Sequence, residues 1–165
     1  MKKLKELREI LINKGLTISV AESCTGGMLS HTLTKLAGSS GYFDRGFITY
    51  TNQSKIDELG VNSSVIDEYG AVSIEVVCEM VKGLNEKSKT SISIAITGIA
   101  GPSGATSTKP VGTVCFGFIM NGKLFAEKKL FSGDRDLIIH SSVIFAIEYV
   151  LKLIKNKCPI NIISQ

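Results

Sequence analysis

The alternation of short β-branched runs with segments of helical periodicity constrains this fold most. Residues 17–21 read TISVA, which is typical of a buried strand, and the following TGGMLSHTLTKLAG spaces its apolar residues as a helix does. Strand, turn and helix in this order form half of a βαβ unit. A second strong strand pattern, TSISIAITG, follows a predicted helix over 73–87. These elements predict an α/β protein built in layers.

Further signals complete the predicted order of elements. An amphipathic first helix ending at Gly15 is predicted by MKKLKELREILINKG, and a strand ending near Tyr50 by GYFDRGFITYTN. A short helix closed by Gly60 follows. A hairpin is predicted about Asn121–Gly122, and a long last helix over 132–154. The predicted apolar face of that helix holds Val143, Ile144, Ile147, Val150, Leu151 and Ile154. A hairpin after alternating strands and helices predicts a mixed sheet.

Composition predicts one globular domain over residues 1–165, with 44% hydrophobic and 21% charged residues. The formal net charge is +4, but the lysines cluster only at the two ends, which argues against a nucleic-acid partner. No stretch of about 18 apolar residues predicts a membrane span. The cysteines at 24, 78, 115 and 158 show neither CxxC nor metal-ligand spacing. We therefore expect a cytoplasmic protein without membrane association.

The first candidate for chemistry is AESCTGG, where Ser23 and Cys24 stand between a predicted strand and a glycine pair. A strand-to-helix turn leaves unpaired N–H groups, and Gly26 and Gly27 let a ligand approach the backbone, so the turn suits an oxyanion. The alternative is structural, because serine is a good helix cap and free cysteine is often buried.

The second candidate is ITYTNQSK, which supplies a base if histidine does not. The two histidines, His31 and His140, have no evident acidic partner. Tyr50 and Lys55 follow a predicted strand, and such side chains act as bases only when burial or a neighbouring charge lowers a pKa that is ordinarily about 10. Alternatively, Tyr50 is an aromatic at the core edge and Lys55 a solvated charge on a helix.

A third stretch, TGIAGPSGATSTKPVGT, follows the TSISIAITG strand and carries Gly98, Gly101 and Gly104. Loops at this end of a strand commonly bind anions, so the stretch fits either an anion-binding loop or a plain wide turn. The glycine spacing matches neither a P-loop nor a dinucleotide-binding fingerprint.

The fourth stretch is FSGDRD, which places Ser132 or Asp134 as the cap of the last helix and Arg135 in its first turn. A cation there opposes the helix dipole. Arg135 is therefore either a clamp for a carboxylate or phosphate, or a surface partner of a neighbouring aspartate.

Four motifs occur in this order along the chain: AESCTGG, GFITYTNQSKIDELGV, TGIAGPSG with KPVGTV, and FSGDRD. Together they resemble the C-terminal domain family of CinA, the competence and damage-inducible protein. The resemblance covers about residues 5–153 and leaves a short tail at 154–165. Stand-alone family members include nicotinamide mononucleotide amidohydrolases. The resemblance implies a three-layer α/β/α sandwich, commonly dimeric, that hydrolyses the carboxamide of this pyridine nucleotide to the acid and ammonia without a metal or cofactor.

The resemblance also implies roles for single residues. Ser23 matches the family nucleophile, Tyr50 and Lys55 match its base-side partners, and Thr97 and Arg135 match substrate-binding positions. Substrate contacts are also expected of Cys24, Thr25, Gly26, Gly27, Gly98 and Gly101. In the implied mechanism, Lys55 stabilises a Tyr50 phenolate or relays a proton, Tyr50 deprotonates Ser23, and the N–H groups of residues 24–27 receive the oxyanion.

Three other interpretations are consistent with parts of the sequence. A non-catalytic nucleotide-binding or regulatory module would keep the pocket without turnover. A cysteine amidase or acyltransferase would use Cys24, although histidine is scarce. An oxidoreductase built on Ser, Tyr and Lys would need a dinucleotide-binding fold, whose glycine fingerprint is absent after the first strand.

Overall fold

The computed structural model describes residues 1–155; Cys158 and residues 156–165 of the predicted tail lie outside this range. The helices of this range are α1 Lys2–Lys14, α2 Met28–Thr34, α3 Asn52–Leu59, α4 Ser63–Tyr69, α5 Ile74–Ser88 and α6 Arg135–Ile154. The strands are β1 Ile18–Glu22, β2 Phe43–Ile48, β3 Ile92–Gly98, β4 Thr113–Met120 and β5 Lys123–Leu130, and a 3₁₀ turn spans Ser39–Gly41.

The strands form one sheet in the order β2–β1–β3–β4–β5. β1 pairs in parallel with β2 and β3, whereas β4 pairs antiparallel with β3 and β5. The predicted mixed sheet is confirmed. The β4–β5 hairpin turns at Asn121 and Gly122, whose φ angles of 53° and 71° fit the tight turn expected from this dipeptide.

Helices cover both faces of the sheet. On one face, apolar residues of α1, α2 and α6 form a continuous core with the sheet, and Leu4, Leu7 and Leu11 supply the buried side of α1. On the other face, α5 packs against β3 and β4, with α3 and α4 beside it. The expected three-layer α/β/α sandwich is therefore confirmed.

Side-chain size along β3 determines how closely α5 can pack. The larger Ile92, Ile94 and Ile96 face the core of α1, α2 and α6, whereas Ala95 belongs to the core beneath α5. On β4, a Cβ added at Gly117 would lie 2.8 Å from the Val77 carbonyl oxygen of α5. Small residues on this face thus allow the helix to approach the sheet.

Several details differ from the predictions. α4 is not evident in the sequence, because seven residues carry too short a periodic pattern. β2 ends at Ile48 rather than near Tyr50, and α2 ends at Thr34, before the end of the segment TGGMLSHTLTKLAG that predicted the helix. Ile144, expected on the buried face of α6, is 54% exposed because it lines a groove beside α1 and α2.

Within residues 1–155, α6 is the one helix that is long and apolar enough to cross a membrane, by length and composition alone. Half of the 18-residue apolar stretch that meets these criteria is buried inside the protein. A helix that forms part of a core meets the same criteria, and α6 contributes nine buried residues to this fold.

We predict that Gly83 of α5 does not tolerate a side chain. A Cβ there would lie 1.8 Å from the Leu59 carbonyl oxygen at the end of α3. Alanine would favour the isolated helix by about 1 kcal/mol. The overlap forces α3 and α5 apart, so we expect Gly83→Ala to lower the free energy of unfolding by about 1–3 kcal/mol in urea titrations. The exposed neighbour provides the control: Lys82→Ala should change it by less than about 0.5 kcal/mol. Equal stability of the two variants would contradict the close packing.

Candidate active site

The carboxyl ends of three parallel strands meet at one edge of the sheet. β1 ends directly before Ser23, β3 ends with Thr97 and Gly98, and β2 ends before the segment 49–51 that leads into α3. In open α/β sheets, ligands bind at this edge. Arg135, the first residue of α6, reaches the same place.

A cleft of about 240 Å³ lies at this edge. The predicted site residues that line it are Ser23, Cys24, Tyr50, Lys55, Thr97, Gly98, Gly101 and Arg135. Thr25, Gly26 and Gly27 share the turn with Ser23 but do not line the cleft. The cleft is also lined by Asn52, Ala71 and Val72, none of which was predicted as a substrate contact.

Ser23 opens a tight turn between β1 and α2. Its N–H donates to Ile96 O at 3.0 Å, and Gly26 N–H donates to Ser23 O at 3.0 Å. Gly26 and Gly27 adopt φ angles of 56° and 98°, which glycine reaches without steric strain. The N-cap of α2 is Gly27, so Ser23 does not serve as the cap of this helix.

Lys55 is buried beside Ser23. Its side chain is on α3, the residue is 1% exposed, and the ammonium donates to Ser23 Oγ at 3.1 Å and to Thr49 O at 2.9 Å. Within the described residues, no carboxylate forms an ion pair with it. Burial therefore lowers the pKa of Lys55 below the ordinary lysine value. The solvated-charge alternative is wrong, and a neutral amine at this position can accept the proton of Ser23.

Tyr50 lies at the mouth of the cleft and is 54% exposed. Its hydroxyl oxygen accepts a hydrogen bond from Arg135 Nη2 at 2.8 Å, and Arg135 Nη1 donates to Gly101 O at 2.7 Å. Arg135 thus connects the segment after β2 to the loop after β3. In the described chain, the side chain that contacts Ser23 Oγ is Lys55, whereas the Tyr50 hydroxyl contacts Arg135.

Arg135 keeps its charge available to the cleft. Asp134 is the N-cap of α6 and accepts a hydrogen bond from Leu137 N–H at 2.9 Å. Over residues 1–155, Arg135 forms no ion pair with Asp134 or Asp136. The surface-pairing alternative is therefore not observed.

The end of β3 is tightly packed behind the cleft. Thr97 is 1% exposed, and its hydroxyl donates to Ala71 O at 2.8 Å, which ties β3 to the linker between α4 and α5. A Cβ at Gly98 would lie 2.8 Å from a Val114 methyl and 3.0 Å from Cys24 Sγ. Only glycine fits between these side chains.

Cys24 has the properties of a buried structural thiol. It is 6% exposed, and burial raises the pKa of the thiol to about 12. The thiolate is the nucleophilic form, and it is scarce at neutral pH when the pKa is this high. This environment disfavours the cysteine-nucleophile interpretation.

Sequence reasoning missed Glu22, the last residue of β1. Its side chain is fully buried and accepts four hydrogen bonds from the start of α2. Oε2 accepts from the N–H groups of Gly27 at 3.1 Å and Leu29 at 3.0 Å, and Oε1 accepts from Ser30 N–H at 2.7 Å and Ser30 Oγ at 2.6 Å. A charged residue ending a strongly apolar strand was the available signal.

A second groove of about 640 Å³ lies between α1, α2 and α6. Both histidines line it, so His140 lies outside the lining of the cleft at Ser23. In the part of the chain that is described, no group of three or more histidine, cysteine or acidic side chains is arranged to hold a metal ion.

The chain is similar to proteins of known family. A model of the CinA C-terminal domain matches residues 1–154. Nicotinamide-nucleotide amidohydrolase PncC of Enterobacter agglomerans is 43% identical over 92% of this chain and 93% of its own length. A CinA-like protein of Petrotoga mobilis is 44% identical over 92% of this chain but only 38% of its own length, so this chain spans well under half of that relative.

Solved structures give the same result. A CinA superfamily protein from Escherichia coli superposes with a TM-score of 0.88 at 35% identity and covers 92% of this chain and 88% of its own. The competence/damage-inducible protein CihA of Agrobacterium tumefaciens gives a TM-score of 0.86 at 38% identity, and the match covers 92% of this chain and 95% of CihA. With a family model over residues 1–154 and relatives above 30% identity over nine tenths of its length, the chain belongs to the CinA C-terminal domain family.

Proposed function

We propose that this protein hydrolyses the carboxamide of nicotinamide mononucleotide to nicotinic acid mononucleotide and ammonia, with Ser23 as nucleophile and Lys55 as its base. The observation that carries the proposal is the buried contact of 3.1 Å between Lys55 Nζ and Ser23 Oγ. A serine attacks a carboxamide only when a neighbouring group removes its proton, and a lysine of lowered pKa can do so near neutral pH. The name of the similar Enterobacter agglomerans protein gives the substrate class.

The turn after Ser23 supplies donors for the oxyanion. Gly26 N–H donates to Ser23 O, and Gly27 N–H donates to Glu22. Within residues 1–155, the N–H groups of Cys24 and Thr25 donate to no other residue. We assign the oxyanion to these two groups, of which Cys24 also lines the cleft. One such donor typically contributes about 3–4 kcal/mol to transition-state stabilisation.

The reaction then runs through an acyl-enzyme. Neutral Lys55 takes the proton of Ser23, and Ser23 Oγ forms a bond to the carboxamide carbon. The Lys55 ammonium returns that proton to the amide nitrogen, the carbon–nitrogen bond breaks, and ammonia leaves. Water, deprotonated by Lys55, attacks the ester carbon and releases the carboxylic acid and the Ser23 hydroxyl. Tyr50 is assigned to binding, because its hydroxyl is paired with Arg135.

The charge and size of the cleft fit a mononucleotide. Arg135 is a cation without a carboxylate partner among residues 1–155, and its guanidinium suits the phosphate of the substrate. A cleft of about 240 Å³ is slightly smaller than the usual range of ligand sites. It suits one pyridine ring with its carboxamide better than a complete dinucleotide.

Ammonia release from nicotinamide mononucleotide tests the function directly. In the presence of EDTA, we expect the parent protein to release ammonia and Ser23→Ala to release it at least about a thousandfold more slowly, because the acyl-enzyme cannot form. Ser64→Ala, an exposed serine on α4, is the matched control and should keep the parent rate. A folded parent that is thermally stabilised by the nucleotide but releases no ammonia would instead support a non-catalytic binding module.

The identity of the base is tested by the pH dependence of kcat/KM. The active form is neutral Lys55, so kcat/KM should rise with pH along a limb whose midpoint lies below the ordinary lysine value. Lys55→Met should lower kcat by about 10²–10⁴. Tyr50→Phe should mainly raise KM, since its hydroxyl is assigned to the binding side. A loss of kcat in Tyr50→Phe as large as that in Lys55→Met would favour a tyrosine base.

Alkylation distinguishes the serine from the cysteine mechanism. In the native protein at neutral pH, iodoacetamide should modify Cys24 more slowly than the less buried Cys78, because burial protects Cys24 and raises its pKa to about 12. Ammonia release should persist after Cys78 is modified. Peptide mass spectrometry measures both sites. Rapid alkylation of Cys24 with parallel loss of activity would contradict the assignment of Ser23.

A further inference from the structure

The buried carboxylate of Glu22 has no cationic partner within residues 1–155. A buried charge is expensive unless hydrogen bonds compensate it, and here four donors do so. All four belong to residues 27–30, the beginning of α2. Glu22 itself is bonded to Ser23 through the backbone. The carboxylate therefore connects the start of the turn to its end.

The hydrogen bonds of Glu22 determine which N–H groups of the turn remain free. Three N–H groups at the start of α2, those of Gly27, Leu29 and Ser30, donate to the carboxylate, whereas Met28 N–H donates to Thr25 O. The helix N-terminus is thus already occupied by an anion of the protein itself. Within residues 1–155, the N–H groups of this turn that donate to no other residue are those of Cys24 and Thr25, next to the nucleophile.

The surrounding packing is arranged to keep this geometry. Ser30 Oγ donates to Glu22 Oε1 at 2.6 Å, and a Cβ added at Gly46 of β2 would lie 2.5 Å from Ser30 Oγ. The absence of a side chain at Gly46 leaves the space that the Ser30 hydroxyl occupies. On β1, Ile18, Val20 and Glu22 face the same core, which fixes the side on which the carboxylate lies.

We propose that Glu22 is the positioning residue of the active-site turn: its carboxylate holds the start of α2 so that Ser23 faces Lys55 and the N–H groups of Cys24 and Thr25 face the oxyanion. The inference rests on the proposed function for its catalytic consequence. It does not make Glu22 a catalytic residue, because the hydrogen bonds of its carboxylate within residues 1–155 come from backbone N–H groups and the Ser30 hydroxyl.

Glu22→Gln tests the proposal. Glutamine has the same shape as glutamate, but its NH₂ group replaces one of the two accepting oxygens and therefore faces N–H or O–H donors of residues 27–30. Amide hydrogen exchange, measured by NMR, should become faster at Gly27, Leu29 and Ser30 and stay unchanged along the buried side of α5. The kcat for nicotinamide mononucleotide should fall about 10–100-fold with KM changed less than about threefold, because a small misplacement of reacting groups slows the chemical step.

A variant of reduced stability elsewhere separates positioning from general destabilisation. Ile92→Val removes one buried methylene at the opposite end of β3 and should lower Tm while leaving kcat at the parent value. A kcat in Glu22→Gln that stays within twofold of the parent, or equals that of Ile92→Val, overturns the proposal. If Glu22→Gln does not fold, Ser30→Ala decides: a several-fold lower kcat at unchanged KM supports the proposal, and an unchanged kcat overturns it.

The exchange experiment also separates this inference from the proposed function. If the parent releases no ammonia, the proposed function is wrong, whereas the amide protection still reports on Glu22. Faster exchange at residues 27–30 in Glu22→Gln, or in Ser30→Ala should the first variant not fold, then supports the positioning role. Unchanged exchange at these amides overturns it.

Discussion

The site depends on one interaction, the contact between the buried Lys55 ammonium and the hydroxyl of Ser23. An ammonium without a carboxylate partner is unfavourable in a protein interior. The shortest hydrogen bond from the Lys55 ammonium to the backbone is the one that Thr49 O accepts, at 2.9 Å. That carbonyl is available because the chain leaves β2 and turns into α3, where Thr51 and Ser54 form a capping box. The edge strand and the short helix thus form the frame that holds Lys55 beside the end of β1.

Two buried charges flank the nucleophile, and each is compensated by the backbone rather than by the other. Glu22 accepts hydrogen bonds from N–H groups at the start of α2, and Lys55 donates a hydrogen bond to the carbonyl oxygen of Thr49, which follows β2. A direct ion pair would favour the protonated amine and raise the pKa of Lys55. Because the hydrogen-bonding capacity of Glu22 is directed to α2, burial dominates at Lys55 and lowers its pKa. Separate backbone partners therefore keep the base usable.

Signals that depend on neighbouring residues predicted the fold well. Gly15 and Gly60 end α1 and α3 in left-handed conformations, and Asn121–Gly122 forms the hairpin turn, because each requires only local backbone geometry. The burial of Lys55 was not predictable from its own segment, since it arises where α3 meets the end of β1. The role of Glu22 depends on α2 folding back over it, which no local pattern indicates. The family motifs identified eight of the cleft residues. Only the three-dimensional arrangement distinguishes Lys55 from Tyr50 as the contact of Ser23.

Two placements in this protein are unfavourable by local rules. Arg135 is a cation in the first turn of α6, where it opposes the helix dipole, and Lys55 is a buried cation without a carboxylate partner among residues 1–155. A fold selected for stability alone would avoid both. Each is instead held by specific partners at the cleft: Arg135 by Tyr50 and Gly101, Lys55 by Thr49 and Ser23. Local rules are commonly broken at functional sites, so the convergence of both exceptions on one cleft is itself a reason to place the chemistry there.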